Sequence, residues 1–229
     1  MTASSSAAGC DFWSAGETRK MLPHLPLSDA LSDDDRRALL ARARQAIVEI
    51  VVRNRTVEWP SPAGRLAVPA GAFVTLHCLS RLRGCIGRTD ASLPLAETVV
   101  QCAIGAALHD PRFPPLGRNE IPCLEIEISV LSEFAPVLPQ AIEPGRHGLL
   151  IIKVDQRGDH RGLLLPQVAV ERHWSATRFL EETCEKAGLD RHAWRDPETR
   201  ILGFTAEVFS EGNLSAAQSD SRPDPPSEP

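Results

Sequence analysis

Residues 124–130 read Leu-Glu-Ile-Glu-Ile-Ser-Val, and this strict two-residue alternation constrains the fold more than any other feature of the chain. A strand with that period puts Leu124, Ile126, Ile128 and Val130 on one side and Glu125, Glu127 and Ser129 on the other. Half-buried strands of this kind belong to antiparallel sheets with one covered face. Matching partners are present. Gly71–Leu79 and Leu82–Gly87 read as two arms of a hairpin, and Gly148–Val154 and Gly162–Leu165 as a second pair around a turn in residues 156–160. Leu202, Phe204, Ala206 and Val208 alternate again near the end. Three helices are expected. Ser32 before Asp33, Asp34 and Asp35 caps the first, which carries Leu39, Leu40, Ala43, Ile47, Ile50 and Val51 on one face as far as Asn54. The second runs from Pro94 to about Leu108 with Ser92 as its cap, and the third is capped by Ser175, turns Phe179, Leu180 and Cys184 inward and stops at Gly188. Hairpin spacing with few crossover helices predicts an α+β fold, mostly antiparallel sheet with flanking helices. No strand is followed by a glycine-rich phosphate loop, which disfavours a doubly wound nucleotide fold.

Composition narrows the function classes. The 229 residues are 42% apolar and 24% charged, enough for one large domain or two small ones. No apolar run is long enough to span a bilayer, so no membrane role is expected. A net charge of −5 argues against a general nucleic-acid binder, and the four arginines of the first helix (Arg36, Arg37, Arg42, Arg44) face neighbouring acids, with Asp33 and Arg37 spaced as a surface pair. Tyrosine is absent, and lysine occurs only at positions 20, 153 and 186. Residues 1–27 and 213–229 are rich in Ser, Ala and Pro and read as disordered tails around a domain over 28–212. The start lacks a basic segment followed by an apolar one, so no secretory signal is expected, and the six cysteines read as reduced thiols of a cytoplasmic protein. None forms a C-x-x-C pair, and His77, Cys78 and Cys85 fit no zinc spacing, so neither metal nor another cofactor is expected.

The segment Arg81–Asp90, RLRGCIGRTD, sets Cys85 between glycines with Arg81, Arg83 and Arg88 nearby. Guanidinium groups favour a thiolate, and Gly84 and Gly87 permit close approach, which makes Cys85 a candidate nucleophile; the bland alternative is a small buried plug in a strand. Hairpin register separates the two. A loop at Ser80–Arg81 puts Cys85 beside Leu76, whereas a three-residue loop at Leu79–Arg81 sets Thr75 opposite Cys85 with His77 diagonal to it. In HDPRFPPL (109–116), Asp-Pro-Arg at a helix end is either a rigid turn that aims Arg112 at an anion or a helix terminator whose arginine caps carbonyls or pairs with a carboxylate, Asp110 being the turn's first residue. Glu125 and Glu127 are either acid/base carboxylates or a solvated face. His147, at a strand start, is a candidate base or a turn residue, and Gln167 either places an amide in a cleft or opens a helix.

The runs LRGCIG (82–87), DPRFPPL (110–116), LEIEISVLS (124–132), RHGLLI (146–151), GLLLPQVAVE (162–171) and AWRDP (193–197) together resemble the AMMECR family, whose prokaryotic members are called AmmeMemoRadiSam system protein A. The resemblance covers about residues 36–211. It departs from the family pattern at Cys78-Leu79-Ser80-Arg81, where members often have a glycine-containing turn, and at Arg88, where Thr or Ser is common. It implies a larger and a smaller subdomain around a cleft, with the LRGCIG segment as functional element. On that basis Cys85, His147 and Glu127 are candidate catalytic residues, and Arg83, Gly84, Gly87, Asp110, Arg112 and Gln167 candidate binding residues. It also implies a shared pathway with a Memo-type protein of the extradiol-dioxygenase-like superfamily and a radical SAM protein. The alternative is a non-catalytic adaptor that binds a protein, peptide or small ligand.

Overall fold

The computed structural model describes residues 30–156 and 158–214. The chain runs α1 (Asp33–Arg53), β1 (Ala72–Cys78), β2 (Arg81–Arg88), α2 (Leu95–Leu108), β3 (Leu124–Leu131), β4 (Ala135–Pro136), β5 (Gly148–Asp155), β6 (Gly158–Leu164), α3 (Pro166–Glu171), α4 (Ala176–Lys186), β7 (Arg200–Phe204) and β8 (Ala206–Ser210). The strands make two antiparallel sheets, ordered β2-β1-β3-β8 and β4-β7-β5-β6. Both tails read as disordered from composition lie outside the described residues, apart from Asn213 and Leu214.

Helix α1 begins where its side chains can satisfy free backbone donors. Ser32 Oγ accepts the Asp35 N–H at 3.1 Å, and the Asp35 carboxylate accepts the Ser32 N–H at 3.1 Å. It ends at Asn54, in the left-handed region at φ 52°. The expected Asp33–Arg37 pair is not made. Arg36 binds Asp33 at 2.7 Å and Arg37 binds Asp34 at 2.8 Å, one residue closer along the helix. Arg44 holds Glu211 and the Leu124 carbonyl, and Arg42 lies 5.1 Å over the Trp59 ring, so these guanidiniums serve internal contacts. Ser92 does not cap α2, whose N-cap residue is Pro94, with no side-chain cap; the Ser92 hydroxyl instead donates to Asp90 beside Arg88. Ser175 caps α4 by accepting the Arg178 N–H, as expected.

Helices α1 and α2 cover one face of the first sheet, burying Leu39, Ile47, Val99, Val74, Leu76, Ile126 and Ile128. The packing is close enough to demand glycine: a Cβ on Gly84 would lie 2.2 Å from the Ala106 carbonyl oxygen of α2. A second core, around Leu149, Ile151, Phe179, Leu180 and Cys184, fills the space between α4 and the second sheet. The second hairpin turns more tightly than expected, between Asp155 and Gly158.

The alternation over 202–208 does not make one strand. It breaks at Thr205 into β7 of the second sheet and β8 of the first, and the inward phase slips so that Phe209 is buried while Val208 is exposed. The chain also crosses between sheets after β3. The two crossings are pinned together, because Thr205 N–H donates to Ser132 Oγ and Ser132 N–H to the Thr205 carbonyl, each at 2.9 Å. One further expectation fails: the cysteines are not all unpaired, since Cys78 at the end of β1 is joined to Cys123 just before β3. The chain neighbours of both fall opposite one another, Cys78 facing Leu124 across the β1–β3 ladder, which brings the two sulfurs together.

Gly84→Ala tests the helix–sheet contact. Backbone must move to admit the methyl, so the urea midpoint of unfolding should fall by the equivalent of about 1–3 kcal/mol.

Candidate functional site

Leu79 (φ 51°) and Ser80 (φ 61°) form a two-residue turn, so Cys78 faces Arg81 and His77 faces Leu82. Neither turn expected from the sequence is used. Arg83 is then left unpaired as a bulge, after which Leu76 faces Gly84 and Thr75 faces Cys85. The bulge therefore produces the polar setting that the three-residue loop would have given. Because Leu76 and Gly84 point at α2, Thr75 and Cys85 point away from it. Glu127 pairs with Thr75 on the other side, and Ser210 with Glu127, so Cys85, Thr75, Glu127 and Ser210 form one row across all four strands. Cys85 and Glu127 stand two strand spacings apart, about 9.5 Å.

Cys85 is half-buried, and the Thr75 hydroxyl donates to its Sγ at 3.3 Å. The main chain at Cys85 is gripped from the open edge of β2. Asp110 Oδ2 accepts the Cys85 N–H at 2.8 Å, and Arg112 Nη2 donates to the Cys85 carbonyl at 3.2 Å. Arg112 also clasps Asp110, Nε to Oδ1 at 2.9 Å and Nη2 to Oδ2 at 2.6 Å. Asp110 is buried, with a side chain 2% exposed. Its carboxyl is held well below the usual carboxylate range, first by the Arg112 guanidinium and then by the Cys85 and Arg112 amides, against the opposing cost of burial.

Other residues singled out in the sequence have plainer surroundings. Arg83 is committed to Glu120, with Nε donating to Oε1 at 2.6 Å and Nη2 to Oε2 at 3.0 Å. Gly84 accommodates α2, and Gly87 the ring of Phe73, which would lie 2.2 Å from a Cβ there; neither glycine opens space for a ligand. His147 Nδ1 accepts the Glu143 N–H at 3.1 Å, and burial lowers its pKa; its recorded contacts do not reach the Cys85 row. Glu127 does lie on that row. Burial raises its pKa, His77 opposes this, and Glu171 and Glu125 reinforce it. Glu171 belongs to α3, which packs on β5 of the second sheet. Gln167 opens α3 and shares a face with Glu171 one turn on.

Lysine 186 is the residue the sequence reading missed. It ends α4, where a lysine ordinarily just complements the helix dipole, so its position carries no signal. The residue is exposed; desolvation lowers the pKa of its ammonium, and the Cys85 thiol and the Arg112 guanidinium act on it in opposite directions. Arg112 lies at the β2 edge of the row, and Glu127 stands two strands inward. Among the described residues, no three His, Cys, Asp or Glu side chains gather as a metal site. A separate cavity of 190 Å³ between α1, α2 and residues 59–62 lies on the helical side, away from this row.

The comparison with known sequences gives the lineage. The sequence profile of AMMECR1 matches residues 40–209, which takes in both sheets and the cleft. The chain belongs to the AMMECR1 family. A relative from Thermococcus gammatolerans is 42% identical over 185 residues, covering 76% of this chain and 88% of its own. One from Methanothermobacter thermautotrophicus is 40% identical over 189 residues, covering 79% and 96%. The crystal structure of the uncharacterised protein PH0010 from Pyrococcus horikoshii superposes with a TM-score of 0.70 at 40% identity, covering 76% of this chain and 90% of that one. The α+β fold expected from sequence is therefore the AMMECR1 fold.

Asp110 gives this AMMECR1 chain a defined pH dependence. A carboxyl that is harder to protonate when folded stabilises fully above its unfolded pKa, near 4, and loses that contribution as pH falls toward its folded value. Asp110→Asn should lower the urea midpoint at pH 7, and the gap from the parent chain should close as pH drops below about 4.

Proposed function

We propose that this AMMECR1 protein works through a reactive thiol, with Cys85 attacking an electrophilic carbon of a ligand laid along the cleft. One contrast carries the reading. Of the three free cysteines described, Cys102 and Cys184 are buried and their thiols pushed up to about 11 by burial, whereas Cys85 is accessible on the polar face. The Thr75 hydroxyl supplies a donor to sulfur, and the Asp110–Arg112 clasp fixes the strand that carries it. Glu127, its proton held more tightly than usual, is the group suited to exchange a proton with the inner end of the ligand, and Gln167 offers an amide from the opposite wall. Asp110 is a positioning residue in this scheme, and His147 has no part in it. The setting is a cytoplasmic pathway shared with a Memo-type and a radical SAM protein; no described helix is long and apolar enough to cross a membrane.

Iodoacetamide labelling with peptide mapping tests the thiol. Cys85 should label in the native protein, Cys102 and Cys184 only on unfolding, and Cys78 and Cys123 only after reduction. Native Cys85 that stays unlabelled until the chain unfolds overturns the nucleophile.

One observation favours an adaptor role as a second reading. Leu79 is 82% exposed at the hairpin tip in a left-handed conformation that L-residues with side chains avoid, and Leu82 beside it is 42% exposed. Arg81 rims this apolar tip, which suits an apolar pocket edged by acids on a protein partner. Leu79→Ser should abolish co-purification with the Memo-type protein while leaving Cys85 labelling intact; undiminished co-purification rules the tip out.

A further inference from the structure

The 190 Å³ cavity between α1, α2 and residues 59–62 has a wall that is part apolar and part charged. Pro60, Pro62 and Val100 supply apolar surface and Trp59 a ring, while Arg42 from α1 and Glu97 from α2 bring opposite charges to the same space. The Arg42 guanidinium lies 5.1 Å from the centroid of the Trp59 ring, and this stacking holds it in place. The other arginines of α1 are engaged by acids or carbonyls: Arg36 by Asp33 and Glu207, Arg37 by Asp34, Arg44 by Glu211 and the Leu124 carbonyl, and Arg53 by Glu49. Arg42 differs. Among the described residues neither Arg42 nor Glu97 makes a side-chain hydrogen bond or ion pair, with each other or with anything else. Arg42 is half-buried, so part of its hydration is already lost, and Glu97 is exposed on the solvent side. Opposite charges that line one cavity without meeting suit a ligand that carries both charges itself.

We propose that this cavity binds a small α-amino acid as its zwitterion, with the carboxylate on Arg42, the ammonium on Glu97 and an apolar side chain against Trp59, Val100 and the two prolines. Size agrees with this. A cavity of 190 Å³ holds about six waters at about 30 Å³ each, which matches amino acids the size of valine, leucine or proline. Charge narrows the class further. A dicarboxylic acid would set an anion against Glu97, and an amine without a carboxylate would leave Arg42 unpaired. The cavity lies on the side of the first sheet that α1 and α2 cover, and Cys85 points to the other side, so this site stands or falls independently of the thiol reading.

Isothermal titration calorimetry of the full chain with L-valine, L-leucine and L-proline tests the site. The tightest of the three is then compared with its amide, which keeps only the ammonium, and with its deamino acid, which keeps only the carboxylate. The free amino acid should bind at least about tenfold more tightly than either analogue, as expected for a hydrogen bond to a charged group. Arg42→Met should bring its affinity down to that of the amide, and Glu97→Gln down to that of the deamino acid, since each substitution removes one charge and keeps most of the side-chain volume. Absence of binding by all three amino acids up to about 10 mM removes the site. Binding without preference for the zwitterion overturns the pairing with Arg42 and Glu97. A preference that survives both substitutions places the ligand elsewhere and overturns it too. The comparison of the three ligands on the parent chain decides the question even if a variant fails to fold.

Discussion

A carboxylate buried to the extent of Asp110 stays charged only if donors replace the water it has lost. Here the donors are the Cys85 amide, the Arg112 amide and the Arg112 guanidinium, and everything at the site follows from that set. The outer edge of β2 would otherwise present open backbone groups, an invitation to pair with another chain. Asp110 and Arg112 occupy the groups at Cys85, so the strand is closed at the one point where its side chain is exposed for chemistry. The clasp therefore secures the sheet edge and orients the thiol together.

The two sheets divide the work. The first turns Val74, Leu76, Ile126 and Ile128 toward α1 and α2 and leaves Thr75, Cys85 and Glu127 on its other face beside Phe73 and Val208, while the second carries Gln167 and Glu171 on α3. The chain passes between sheets at Ser132 and Thr205, and the reciprocal hydrogen bonds there fix the walls relative to each other at one end.

Much of this was legible in the residues. Period-two alternation placed β3 and the side each glutamate faces, and capping residues placed α1 and α4, because these are local rules with few exceptions. Register was not legible, since it depends on a bulge at Arg83 that nothing local marks, and on a turn built from Leu79 and Ser80 in conformations usually left to glycine or asparagine. The split at Thr205 was hidden for a similar reason: alternation continues through it, while the partners change. Arg112 was read either as aimed at an anion or as capping carbonyls or pairing with a carboxylate, and the structure shows the second kind of contact, with the Asp110 carboxylate and the Cys85 carbonyl as its partners.

The bond between Cys78 and Cys123 closes a loop over a sequence separation of 45 residues. A crosslink of that span restricts the unfolded chain by the equivalent of about 4 kcal/mol on the chain-entropy account. The protein therefore has two thermodynamic identities, one for each state of this thiol pair. In a glutathione-rich compartment the pair is open, the unfolded ensemble regains its freedom, and the hairpin bearing Cys85 is held by its packing on α2 and its hydrogen bonds without the crosslink. In an oxidising one the same hairpin is tethered, and the margin against unfolding widens without any change at the cleft.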